Sequence, residues 1–324
     1  MAEPTTADMR LVATVDCGSN STRLLVARVD GRGRALHAIT RRTVITRLGA
    51  GVDATARLSA AAISRVLDAL EIFRARWRAI GVEQVVITAT SAVRDAGNAD
   101  EFVSAVARRT GTAPVILTGS QEAALTYEGA TADAPASERV VCDIGGGSTE
   151  LITRVDGVTR WASMQIGSVR LRERHVHHDP PTVVEYAALL ADVDRTLAQQ
   201  SDDFSARSTA PLIAVAGTAL TTAAVARAVN DADLETVDGT VVTLADVVAV
   251  VEQLAWMPAA TRLGHPSIAR GREDVIVAGA MLLARLAHRF GFDRIRVRVA
   301  DLLDAAARRA AAGAWPPSTT AGSP

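Results

Sequence analysis

The sequence predicts an α/β protein of two similar lobes with a cleft between them. Three observations predict it. A strand–carboxylate–turn–strand pattern occurs twice, strand and helix patterns alternate after each copy, and 324 residues with 48% hydrophobic content suffice for two cores. The first copy follows the apolar run Leu11 to Val15 and reads Asp16-Cys17-Gly18-Ser19-Asn20-Ser21-Thr22-Arg23. The second follows Val140 to Cys142 and reads Asp143-Ile144-Gly145-Gly146-Gly147-Ser148-Thr149-Glu150, with its Asp 127 residues further on. A glycine-rich turn lets main-chain N–H groups converge on an anion, and hydroxyls add donors. The carboxylate at the strand end can hold a metal or a water beside that anion.

The elements follow in order. Strands are expected at 11–16, 23–29 and 35–47. Ser59 is placed to cap a helix reaching Ile80, with Ile63, Val66, Leu67, Leu70 and Phe73 at spacings of three and four, and Gly81 ends it. A strand at 84–89 precedes a helix from an Asn98 cap through Arg109, ended by Gly111. A strand at 114–118 leads to a short helix, Gln121 to Ala130. The polar segment 133–138, containing Pro135, marks the crossing to the second lobe. There, strands are expected at 139–143, 149–155, 158–165, 211–216 and 293–299. Helices are expected at 182–199, 219–229, 243–255, 272–289 and from 301. The lobes are thus 1–132 and 133–311, with the last helix able to pack back on the first, and 312–324 reads as a disordered tail.

Composition narrows the chemistry. All 35 basic residues are Arg. A lysine-based phosphate loop and any Schiff-base mechanism are thereby excluded, and cationic contacts to phosphate must be guanidinium forks. The net charge of −1 argues against a broad nucleic-acid surface. The first 132 residues carry 16 Arg against 13 acids, the remainder 19 against 23, so the first lobe is the more anion-facing. Cys17 and Cys142 read as small buried strand-end residues. No apolar run approaches a membrane span and the first ten residues lack a signal-peptide pattern, so the expected setting is cytoplasmic, with neither membrane nor nucleic acid as partner.

Three further features carry candidate chemistry. Thr90-Ser91-Ala92-Val93-Arg94-Asp95 follows the strand at 84–89, which places Arg94 near the first turn as a phosphate clamp. Thr118-Gly119-Ser120-Gln121-Glu122 opens a helix after a strand. A carboxylate there is often only a cap or dipole partner, but hydrolysis of a phosphoanhydride needs a group that orients or deprotonates water. The Arg run Arg28, Arg32, Arg34, Arg41, Arg42 and Arg47 reads as a solvated hairpin face, or as a basic wall for a long anion. His175, His177 and His178 lie in a charged loop before Pro180-Pro181 without metal-ligand spacing, and solvent is the better reading for them.

On these motifs the chain resembles the exopolyphosphatase and guanosine-pentaphosphate phosphohydrolase family, within the acetate kinase, sugar kinase, heat-shock and actin superfamily. The resemblance spans about residues 11 to 290 and includes Gly167-Ser168-Val169-Arg170, Gly217-Thr218 and Arg272-x-Asp274-Val275-Ile276-x-Ala278-Gly279. It implies two ribonuclease-H-like lobes with an active-site cleft between them, a divalent cation (magnesium, with manganese as the alternative) and release of terminal phosphate. Carried over by position, Glu122 matches the catalytic carboxylate and Asp143 the second acidic residue. Gly18, Ser19, Asn20, Ser21, Arg23, Arg94, Gly145, Gly146, Gly147, Ser148 and Arg272 match phosphate-binding positions. Asp16, Asp143 and Glu150 are the expected metal ligands. The resemblance implies inorganic polyphosphate as substrate, in a short two-domain form suited to short chains. Guanosine pentaphosphate is the alternative substrate, and a nucleotide-gated binding protein is the further alternative. The family's Ser-Asp…Gly-Leu-Arg-x-Gly segment reads here Ala300-Asp301-Leu302-Leu303-Asp304, without the glycine and the Arg. A homodimer through the apolar helices of 243–289 is a further expectation.

Overall fold

A computed structural model of the chain describes residues 9–132, 139–155, 158–206 and 209–316. The crossing expected at 133–138 and residues 317–324 of the expected tail lie outside the described residues. The first half reads β1 (Met9–Cys17), β2 (Ser21–Asp30), β3 (Leu36–Ile45), α1 (Val52–Thr55), α2 (Ala60–Ile80), β4 (Gln84–Ala89), α3 (Ser91–Arg94), α4 (Ala99–Thr110), β5 (Val115–Ile116) and α5 (Gly119–Thr131). The second reads β6 (Val140–Ile144), β7 (Thr149–Val155), β8 (Val158–Met164), α6 (Ser168–His175), α7 (Val183–Ala198), β9 (Leu212–Val215), α8 (Ala216–Arg227), β10 (Val241–Thr243), α9 (Leu244–Ala255), α10 (Ala259–Leu263), α11 (Ile276–Arg289), β11 (Arg294–Val297) and α12 (Leu302–Ala311). Helices α1, α3, α6 and α10 are too short for a 3.6-residue pattern to announce them.

The chain divides into two compact units, Met1–Gly129 with Asp301–Ser323, and Ala130–Ala300. The boundary read at 311 therefore moves: α12 belongs to the first unit, because its alanine face packs on the first sheet. That sheet has the order β3-β2-β1-β4-β5, with β1, β2 and β3 antiparallel and β4 and β5 parallel to β1. Along β2, Leu24 and Val26 pack with Phe73, Trp77 and Phe102 of α2 and α4, while Leu25, Ala27 and Val29 pack with Ala306, Ala307 and Ala310 of α12. This two-residue alternation buries both faces of the strand. Phe73 is 1% exposed, and burying such a ring contributes roughly 2–3 kcal/mol.

The Ser59 side chain accepts from Ala62 N–H and Gly81 ends α2 at φ 81°. Asn98 does not cap α4 through its side chain, as the sequence had suggested. Its amide instead accepts from Leu58 N–H at 2.8 Å and donates to the Leu58 carbonyl at 3.0 Å, pinning the segment before α2.

The second sheet has the order β10-β11-β9-β6-β7-β8. Strands β6, β7 and β8 repeat β1, β2 and β3, β9 and β11 repeat β4 and β5, and β10 adds an antiparallel edge. Both sheets are mixed, in the ribonuclease-H-like order. The core of this unit joins Leu151, Leu212 and Ala214 to Leu189 and Val193 of α7 and to Leu282, Leu283 and Leu286 of α11. Capping boxes start α7 (Thr182 with Glu185) and α9 (Thr243 with Asp246). No helix among the described residues is long and apolar enough to cross a membrane.

Candidate active site

The first turn joins β1 to β2 in three residues. Gly18 N–H closes it by donating to the Ser21 carbonyl at 3.0 Å, and a Cβ on Gly18 would lie 3.1 Å from that oxygen. The segment after β3 seals the turn from behind. Thr46 and Arg47 N–H donate to the Asn20 carbonyl at 3.0 and 2.9 Å, and Gly49 N–H donates to the Ser19 carbonyl at 2.8 Å. The carbonyls are thus occupied, while the N–H groups of Ser19 and Asn20 meet no protein acceptor among the described residues. Both residues are buried. Buried N–H groups without a partner are costly, and two in succession form an anion-binding concavity.

The second turn repeats this arrangement. Gly145 N–H donates to the Ser148 carbonyl at 3.0 Å. The start of α6 seals it: Ser168 N–H donates to the Gly145 carbonyl at 2.9 Å, and Val169 and Arg170 N–H donate to the Gly146 carbonyl at 2.9 and 3.0 Å. A Cβ on Gly167 would lie 2.5 Å from the Gly146 carbonyl oxygen, so the approach requires glycine. Gly146 and Gly147 are buried, and their N–H groups again meet no protein acceptor among the described residues. Ser148 lies beside them, 2% exposed.

The carboxylates at the strand ends differ in their neighbours. In register, Asp16 stands between Thr88 of β4 and Arg23 of β2, whereas Asp143 stands between Val215 of β9 and Glu150 of β7. Asp16 Oδ2 accepts from Arg23 Nε at 3.3 Å and Nη2 at 2.9 Å, and Oδ1 accepts from the Thr88 hydroxyl at 3.2 Å. Burial raises the Asp16 carboxyl above its ordinary value, and the Arg23 charge opposes that rise. Glu150, 2% exposed, accepts from the Ser163 hydroxyl at 2.8 Å.

Magnesium takes hard oxygen donors, commonly one or two carboxylates completed by water and phosphate. The opposed pair Asp143 and Glu150 fits that demand. Among the described residues no group of three His, Cys, Asp or Glu side chains forms a fuller cage.

Helix α5 carries Glu122 on its first turn. Thr118 and Gln121 exchange bonds there: Gln121 N–H donates to Thr118 Oγ1 at 3.2 Å, and Thr118 N–H donates to Gln121 Oε1 at 3.0 Å. Glu122 is 8% exposed, and its Oε2 accepts from Arg94 Nη1 at 2.9 Å. The same Nη1 donates to the Leu117 carbonyl at 2.9 Å. Ser91 Oγ lies 3.0 Å from Ser19 Oγ. The three motifs of the first unit are therefore brought together: the turn touches the 90–95 segment through Ser19, and that segment touches α5 through Arg94.

In the second unit Arg272 is 9% exposed and lies on the main chain of α8. A Cβ on Gly217 would stand 1.9 Å from its Nη1. Ala216, just before, holds the left-handed φ of 65°, so the strand-to-helix junction is strained where the guanidinium lies. Gly279 of α11 gives way to the Thr218 and Ser168 side chains, which a Cβ would meet at 2.7 and 3.2 Å.

Several residues the sequence had left aside belong here. Asp301 pairs with Arg23 Nη1, and Asp304 accepts from Arg41 Nη1 at 3.1 Å and Nη2 at 2.5 Å. Their D-x-x-D spacing before a helix is a capping-box signal, available in the sequence but masked by the missing family glycine and Arg. The sealing segment 46–49 had no such signal, whereas 168–170 lies within a motif that carries the resemblance. Elsewhere, Arg28, Arg32, Arg34 and Arg42 are exposed on the β2–β3 hairpin. His175 pairs with Asp192 and His178 with Glu185, each at 2.8 Å. Cys17 and Cys142 are buried free thiols whose ionisation burial pushes well above the ordinary range, which leaves them unreactive.

Several known proteins resemble this chain. A model of the Ppx/GppA phosphatase family matches residues 25–301. Exopolyphosphatase 2 of Mycobacterium tuberculosis is 36% identical over 307 residues, covering 90% of this chain and 96% of the relative. The crystal structure of an exopolyphosphatase-like protein superposes with a TM-score of 0.84 at 32% identity, over 94% of this chain and 98% of its own. The Aquifex aeolicus Ppx/GppA family member superposes with a TM-score of 0.74 at 29% identity, over 92% and 96%.

Proposed function

The chain belongs to the Ppx/GppA phosphatase family, and from that premise we propose that it is a magnesium-dependent exopolyphosphatase that hydrolyses the terminal phosphoanhydride of short inorganic polyphosphate. The observation that carries the proposal is the pair of sealed turns, each closed by its first N–H and leaving the next two N–H groups for an anion. Two such turns with guanidinium forks and no lysine suit a substrate made of phosphate alone.

This reading gives each group a role. Ser19, Asn20, Gly146 and Gly147 N–H groups bind phosphoryl oxygens, and Arg23, Arg94 and Arg272 neutralise charge as it develops. Glu122 accepts a proton from, or orients, the attacking water. Its 2.9 Å bond from Arg94 aims the carboxylate in a buried position. Asp143 and Glu150 would hold the divalent cation. When bound, that cation supplies charge neutralisation on the phosphate oxygens.

The test is phosphate release from polyphosphates of graded length, with guanosine pentaphosphate and ATP alongside, for the wild type and Glu122→Gln, with and without magnesium. The proposal expects release from short polyphosphate, with kcat falling by about 10²- to 10⁴-fold in the variant and KM nearly unchanged. Preference for guanosine pentaphosphate would move the substrate assignment. Near-normal turnover by Glu122→Gln would remove the assigned role of that carboxylate.

A further inference from the structure

We infer that Asp301 is a positioning residue for the reaction, holding the Arg23 guanidinium in the orientation that receives a phosphoryl group; the inference rests on the reading of Arg23 as a phosphate contact. Arg23 is gripped from two sides. Nε and Nη2 donate to Asp16 Oδ2, at 3.3 and 2.9 Å, while Nη1 donates to Asp301 Oδ2. A guanidinium is planar, so carboxylates on two of its edges fix both its plane and its rotation.

Asp301 is itself immobilised. It is the N-cap of α12, with Oδ1 accepting from Leu303 N–H at 3.0 Å, and Asp304 Oδ2 accepts from Asp301 N–H at 3.2 Å. Asp304 is tied in turn to Arg41 of β3. On the other side α5 presses on the cap, since a Cβ on Gly129 would stand 1.8 Å from the Asp301 carbonyl oxygen. The cap thus links Arg23 to the helix that bears Glu122.

Capping alone does not account for this residue. Ser or Asn would cap α12 as well as Asp. Asp301 is 1% exposed, and a carboxylate at that depth is retained only where its charge is matched.

The test is a double-mutant cycle with Asp301→Asn, Arg23→Ala and the double variant, in the full chain. Tripolyphosphate is the substrate, and kcat, KM and melting temperature are read. Asp301→Asn keeps the cap, so its melting temperature stays near that of the wild type while kcat/KM falls by roughly tenfold to a hundredfold, as for lost partners of other site ligands. In the Arg23→Ala background Asp301→Asn costs no further activity and raises the melting temperature, because it removes a stranded carboxylate. Wild-type kcat/KM in Asp301→Asn, or losses that multiply in the double variant, would overturn the inference. An inactive wild type would overturn the underlying reading, and the positioning role with it; failure of the inference alone shows only in the variants.

Discussion

Arg94 and Glu122, 28 residues apart, share an ion pair of 2.9 Å between Nη1 and Oε2, and the same nitrogen donates to the Leu117 carbonyl. One guanidinium thus fixes both the carboxylate and the strand end from which its helix departs. Arg94→Lys retains the charge but carries its single nitrogen on a shorter stem, away from the point where Nη1 meets both acceptors, and is expected to lower kcat/KM by about tenfold. Arg94→Ala removes the Nη1 bonds to Glu122 and to the Leu117 carbonyl and is expected to cost about 2–3 kcal/mol in transition-state stabilisation, read as kcat/KM on tripolyphosphate.

Gly217→Ala and Gly129→Ala are expected to fail differently. At Gly217 the added Cβ meets the end of a flexible side chain, Arg272 Nη1 at 1.9 Å. The guanidinium moves aside, the melting temperature changes little, and kcat/KM falls by up to about a hundredfold as a phosphate contact is displaced. At Gly129 the Cβ meets main chain, with the Asp301 carbonyl oxygen at 1.8 Å and its carbon at 2.5 Å. Main chain cannot rotate away, so stability drops by at least about 1–3 kcal/mol in denaturant unfolding.

Arg41→Ala is expected to destabilise the first unit by about 3 kcal/mol, measured by urea unfolding at neutral pH. Asp304 is 3% exposed and accepts from both Nη atoms of Arg41. Burial already raises its carboxyl above the ordinary value, with Arg41 opposing. Without Arg41 the folded state favours the protonated form further. The deficit therefore shrinks as pH falls, and an unchanged deficit at mildly acidic pH would contradict the pairing.

Glu185, in the second unit, carries a carboxyl displaced in the opposite direction from that of Asp304. Thr182 N–H, the His178 ring and His177 N–H hold its carboxyl at about 2 rather than the ordinary 4.5. A folded value below the unfolded one adds stability that is present above about 4.5 and lost as pH falls towards 2. Glu185→Gln is expected to flatten that part of the stability–pH curve and to expose the start of α7 to amide exchange at pH 6, with little difference from the wild type at pH 2.

Much of the fold was legible because its signals are local. Ser59 and Gly81 bound α2 through bonds within one turn, and β2 alternates its side chains at a two-residue period that needs no knowledge of the partner. The two turns were legible for the same reason: Asp, Gly and Ser after a buried strand define a loop from a few consecutive residues. Asn98 shows the limit, since its amide chose Leu58, 40 residues away, over the helix start beside it. The pairings around these parts are all of that second kind. Arg23 reaches Asp301 across 278 residues, Gly217 is required by Arg272, and the turn at 145–148 is sealed by N–H groups of α6. The sequence by itself determined the two ribonuclease-H-like units, their turns and the family. Only the tertiary structure decided which carboxylate meets which guanidinium, because a buried charge takes the partner that chain folding brings within about 3 Å, and sequence spacing does not encode that distance.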